Sequence, residues 1–175
     1  EVPEPYDTFA FHPVGIPGYG NPIPKQTAKE LLCISPFLKE EAIDTLWENV
    51  QQTPQILSRR DSLLALPAET LKECECYALS DLIVDGEYLE GTETEGDVQH
   101  AQDLHAKVFI YKLAAKKYRW FLGSANATQA AFHKNVECMV RLDGRHYSLS
   151  LATVRSQLLG EDGEGAIFER VLPGD

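Results

Sequence analysis

Residues 104–111, Leu104-His105-Ala106-Lys107-Val108-Phe109-Ile110-Tyr111, alternate with a period of two. A strand sends successive side chains to opposite faces, so this pattern predicts extended chain. Leu104, Ala106, Val108 and Ile110 fall on one face, and His105, Lys107, Phe109 and Tyr111 on the other. An imidazole and an ammonium therefore point the same way, two residues apart. That pairing sets a nucleophile or acid/base beside a fixed positive charge. Taken alone, it also describes a half-exposed strand with two incidental polar residues.

The residues that follow favour the chemical reading. Tyr118–Leu122 predicts a second strand, which runs into Gly123-Ser124-Ala125-Asn126-Ala127-Thr128. A Gly turn followed by Ser124 and Asn126 offers a hydroxyl and an amide to an oxyanion. Residues 129–132 read as a short helix whose first N–H groups would favour the same anion. A third strand is predicted over 136–142. Val136, Cys138, Val140 and Leu142 face one way and Glu137 the other. A carboxylate there can hold an imidazole in one tautomer.

Upstream, the chain reads as strands alternating with helices. Leu31–Ser35 is a short apolar strand ended by Pro36. Ala42, Ile43, Leu46, Trp47 and Val50 line one face of the helix that follows. Gln55–Ser58 is a second strand, and Asp61 is placed to cap the next helix. Pro67 splits that stretch in two, and residues 76–84 predict another strand. The order predicts an α/β fold, a mixed β-sheet sandwiched by helices. Residues 1–28, rich in Pro and Gly, read as an irregular leader or linker end, with the folded domain over 29–175. The chain opens on Glu1-Val2-Pro3 without Met or a signal sequence, and reads as part of a longer protein.

Charge narrows the function classes. The 175 residues hold 16 Lys+Arg against 27 Asp+Glu, a net charge of −11, which disfavours nonspecific binding to nucleic acid. The imbalance is local. Residues 81–104 carry Asp81, Asp85, Glu87, Glu90, Glu93, Glu95, Asp97 and Asp103 without a base. Residues 105–119 carry Lys107, Lys112, Lys116, Lys117 and Arg119 without an acid. Each block is either a solvated loop or, in the sharper reading, a basic border to an anion site beside an acidic screen. No run is long enough to predict a membrane span. Cys33 and Cys138 read as small buried hydrophobes, and Cys74-Glu75-Cys76 has no second pair at zinc spacing. No metal or other cofactor is implied. The cysteine usage fits a reducing cytoplasm.

The series His105-x-Lys107, Gly123-Ser124-x-Asn126 and Asn135-x-Glu137 resembles the signature of the phospholipase D superfamily. The fuller string over 103–142 is similar to bacterial members found in nuclease and restriction-type proteins. The resemblance implies a phospholipase D-like half domain and a metal-independent phosphodiesterase. In that reading His105 forms a phosphohistidine, and Lys107 and Asn126 bind the non-bridging oxygens. Ser124 supports the phosphate or the ring, and Glu137 orients a histidine. Phosphoryl transfer needs alignment and charge neutralisation, which a Lys and neutral donors can supply. The family's first motif usually carries an Asp five residues after its Lys; here Lys112 stands there.

The superfamily's site uses two such sets, one His as nucleophile and one as general acid. This chain has one, because His12, His100, His133 and His146 lack a Lys two residues on. His12 and His146 read as surface or packing residues. The second set would come from a homodimer partner or from the rest of a longer chain. The leading expectation is a nuclease-like enzyme acting on nucleic acid or another phosphodiester. A non-catalytic binding or assembly module and a lipid-active phospholipase or transferase remain as alternatives.

Overall fold

The computed structural model describes residues 1–80, 104–160 and 167–172. The acidic block, His100 and residues 81–84 of the strand expected over 76–84 lie outside the described residues. Eight strands form one sheet: β1 (Thr8–Val14), β2 (Glu30–Ile34), β3 (Gln55–Ser58), β4 (Glu75–Leu79), β5 (Val108–Ala114), β6 (Lys117–Gly123), β7 (Glu137–Gly144) and β8 (Phe168–Val171). Their order is β1-β7-β6-β5-β2-β3-β4-β8. The pairs β2–β3 and β3–β4 are parallel and the remainder antiparallel. Parallel neighbours need crossovers. Here these are α1 (Glu40–Trp47), then α2 (Arg60–Leu64) with α3 (Ala68–Glu73). Two further helices are α4 (Gln129–His133) and α5 (Leu151–Leu159).

Helices cover both faces. Leu31, Cys33, Ile56, Phe109, Tyr111, Phe121 and Met139 pack with apolar residues of α1 to α4. Leu32, Ile34, Leu57, Tyr77 and Ile110 pack with Leu151 and Val154 of α5. Buried on both sides, β2 and β5 read as nearly continuous apolar runs. Phe109 is fully buried, and truncating such a ring to Ala costs about 3–5 kcal/mol. The β5–β6 connection is a tight turn, with Lys116 at φ 51°.

Three readings of the sequence change. Residues 8–14 are not irregular: Thr8–Val14 is an edge strand paired along β7. Pro13 is tolerated because an edge strand need not donate on both sides. Arg59, not Asp61, occupies the N-cap of α2, and Asp61 accepts the Ser62 N–H at 2.8 Å from the first turn. Cys138 is exposed, whereas Cys33 is buried. His12, expected as a surface or packing residue, packs edge-on to Phe121, 6.1 Å between ring centroids. Burial and the Arg141 and Arg119 guanidinium groups push its pKa below the ordinary value.

Candidate active site

The His-x-Lys, Ser-x-Asn and Glu elements meet at one end of the sheet. Ile34 at the end of β2 pairs with Val108 at the start of β5. Gly123 at the end of β6 donates its N–H to the Lys107 carbonyl at 3.3 Å and pairs with Met139 near the start of β7. The same edge holds the carboxyl ends of parallel β2 and β3, where open α/β sheets bind ligands. β5 begins at Val108, so His105 and Lys107 lie on the extended lead-in rather than within the strand. Freed from the ladder there, His105 is exposed and Lys107 half-buried. The Lys107 ammonium donates to the His105 carbonyl at 2.9 Å.

Ser124 ties β6 to β7. Its N–H donates to the Cys138 carbonyl at 3.2 Å, and its Oγ accepts the Cys138 N–H at 3.0 Å. The hydroxyl donates to the Glu137 carboxylate, whose other oxygen accepts from Asn135 Nδ2 at 3.2 Å. Gly123 permits this approach: a Cβ there would sit 2.1 Å from the Cys138 carbonyl oxygen. Gly15 does the same from β1. At φ +77° its missing Cβ leaves room for the Asn135 carbonyl, which a Cβ would meet at 2.0 Å.

The loop carrying Asn126 is held through Ala127 by Ser35, the residue that follows β2 and that the motif pattern does not single out. Ser35 is fully buried, and its Oγ accepts the Ala127 N–H at 3.0 Å and donates to the Phe37 carbonyl at 2.7 Å. Its one hydrogen is committed to Phe37, so the 3.5 Å approach to Asn126 Oδ1 is a marginal contact. Lys39 N–H to the Ala127 carbonyl, 3.0 Å, completes the seam between the 35–39 and 124–128 segments. The available signal was a hydroxyl closing an otherwise apolar strand just before Pro36.

Other expected features fall elsewhere. Among the described residues no histidine nitrogen bonds Glu137, whose partners are Ser124 and Asn135. Thr128 caps α4 itself, accepting the Ala131 N–H at 3.2 Å, and the helix has only five residues. His133 lies at the C-terminal turn of α4, and His146 bonds Ser148. No three His, Cys, Asp or Glu side chains are grouped to hold a metal among the described residues. No described helix is long and apolar enough to cross a membrane.

Residues 78–162 match the family described as the NgoFVII restriction endonuclease N-terminal PLD domain. The crystal structure of Nuc from Salmonella typhimurium, a phospholipase D family member, aligns at a TM-score of 0.51 with 13% identity. It covers 94% of this chain and 99% of its own. Residues 78–162 are thus similar in sequence to a phospholipase D domain, and the chain shares its fold. Yeast tyrosyl-DNA phosphodiesterase aligns at a TM-score of 0.47 with 12% identity, over 77% of this chain and 31% of its own. No curated protein matches the chain significantly.

The departure from the phospholipase D signature at Lys112 has a structural account. Lys112 pairs across the ladder with Glu30 and donates to its carboxylate at 2.5 Å. Five residues down β5 from Lys107, it lies about 17 Å from the site end.

Proposed function

We propose that the chain is a metal-independent phosphodiesterase of nuclease type. The observation carrying this reading is that His105-x-Lys107, Ser124-x-Asn126 and Glu137 gather at one sheet end in a chain similar to a phospholipase D domain. His105 attacks phosphorus, a P–N bond forms, and the P–O bond to the leaving alkoxide breaks. The alkoxide takes its proton from the histidine of a second motif, supplied by a second copy of the chain or by another part of a longer protein. That histidine then removes a proton from water, which attacks phosphorus and releases His105. Lys107 and the Asn126 amide neutralise the non-bridging oxygens, a contribution of several kcal/mol in a site sheltered from water. Ser124 exchanges its hydrogen bond to Glu137 for the phosphate, and the freed carboxylate orients an imidazole.

A second reading is a binding or assembly module. The observations favouring it are the single motif set and the engagement of Glu137 by Ser124 rather than by a histidine. Cleavage of a labelled single-stranded oligonucleotide in EDTA separates the two. Turnover that disappears in His105→Ala, with the phosphoryl label trapped on a histidine, is the expected result. Full activity in His105→Ala, in an assembly with no other His-x-Lys, ends the catalytic reading.

A further inference from the structure

Phe37 lies two residues beyond Ser35, on the segment seamed to the Asn126 loop, and is 52% exposed. Its ring is not loose: the Arg59 guanidinium lies over it, 5.4 Å from the centroid. Arg59 also pairs with the Asp61 carboxylate at 3.0 Å. The two residues follow the carboxyl ends of β2 and β3, the sheet end that carries the candidate site. Residues 35–37 form a bend closed by the Ser35 hydroxyl on the Phe37 carbonyl at 2.7 Å, and two residues span at most about 7 Å, so Phe37 lies close to the Asn126 loop.

We infer that Phe37, braced by Arg59, is a stacking platform for a base of a single-stranded nucleic acid, flanking the phosphodiester held at Asn126 and Lys107. The inference rests on the nuclease-type reading above and names its substrate. A rigid half-exposed ring with a guanidinium on it suits the flat face of a base. Charge points the same way. A chain of net charge −11 gains little from long-range attraction to a polyanion, so its hold on a strand must come from contacts that do not depend on net charge. Base–aromatic stacking is such a contact. Lys39, two residues along the chain from Phe37, is exposed and supplies local positive charge.

The test measures binding of a 5′-fluorescent single strand by anisotropy to the wild type, Phe37→Leu and Phe37→Trp. An abasic position is scanned along the strand. Phe37→Leu is expected to weaken binding about 5- to 140-fold, the loss of one stacked base, and Phe37→Trp to restore it. At one abasic position the wild type should lose that same factor while Phe37→Leu loses no more. A leucine variant that binds like the wild type overturns the inference, as does an abasic scan that costs both proteins equally everywhere. Capture by phosphatidylglycerol vesicles with no binding of the strand also overturns it. His105→Ala keeps the two readings apart. If cleavage survives in it, the phosphohistidine reading fails while the stack stands. If cleavage depends on His105 but binding ignores Phe37, only the stack fails.

Discussion

Ser35→Ala removes a single oxygen that serves three neighbours. The Ala127 N–H, in a fully buried residue, loses its acceptor at 3.0 Å. A buried donor left without a partner costs about 1–3 kcal/mol. The Phe37 carbonyl loses a 2.7 Å donor, but it belongs to an exposed residue and water can replace the hydroxyl. That bond is worth about 0.5–1 kcal/mol. Together the change should destabilise the fold by about 1.5–4 kcal/mol, a fall in Tm of roughly 3–16 °C for a chain this size. Urea unfolding checks it: the midpoint should drop with the slope m unchanged. Because Asn126 touches Ser35 only at 3.5 Å, cleavage measured well below Tm should fall less than in Asn126→Ala. Ser58→Ala is the control, since its hydroxyl bonds only the Ser35 carbonyl, at 2.6 Å, and leaves the seam whole. A Ser35→Ala protein within 0.5 kcal/mol of the wild type at equal m would refute this account.

Gly123→Ala would force β6 from β7, because the new Cβ meets the Cys138 carbonyl at 2.1 Å. A loss of about 3 kcal/mol or more, with slower cleavage as Ser124 leaves Cys138, should appear in denaturant unfolding and turnover. Lys112→Asp sets a carboxylate opposite Glu30 and should cost about 1 kcal/mol by urea unfolding, with cleavage rate unchanged. The folded chain resists protonating His12, whose pKa lies below its ordinary value through burial and then the Arg141 and Arg119 charges. The unfolded chain takes that proton near pH 6.5. Stability is therefore full above about pH 6.5 and falls as pH drops from there towards the folded pKa. His12→Phe should flatten that part of the profile, and NMR titration of His12 should give a midpoint below about 6.5.

Local pattern alone determined much of this protein. Gln55–Ser58 emerges from the sequence with the bounds β3 has, and β2 is displaced by one residue. The alternation over 104–111 and 136–142 and the Gly turn after 118–122 mark the strands that carry the candidate residues, because alternation depends only on neighbouring residues, although β5 itself begins only at Val108. Which strands pair, and what covers them, depends on residues far apart in the chain. β1 exists because β7, more than 120 residues on, offers it a ladder; nothing within Pro- and Gly-rich residues 1–28 announces that. The pattern groups Cys138 with Val140 and Leu142 on one face, but whether that face is covered at Cys138 is decided by tertiary packing, which leaves it exposed. Ser35 and the Phe37–Arg59 pair were silent for the same reason. Their meaning lies in an N–H donated by Ala127 and in a guanidinium carried by the residue that follows the next parallel strand, which come together only when the sheet forms.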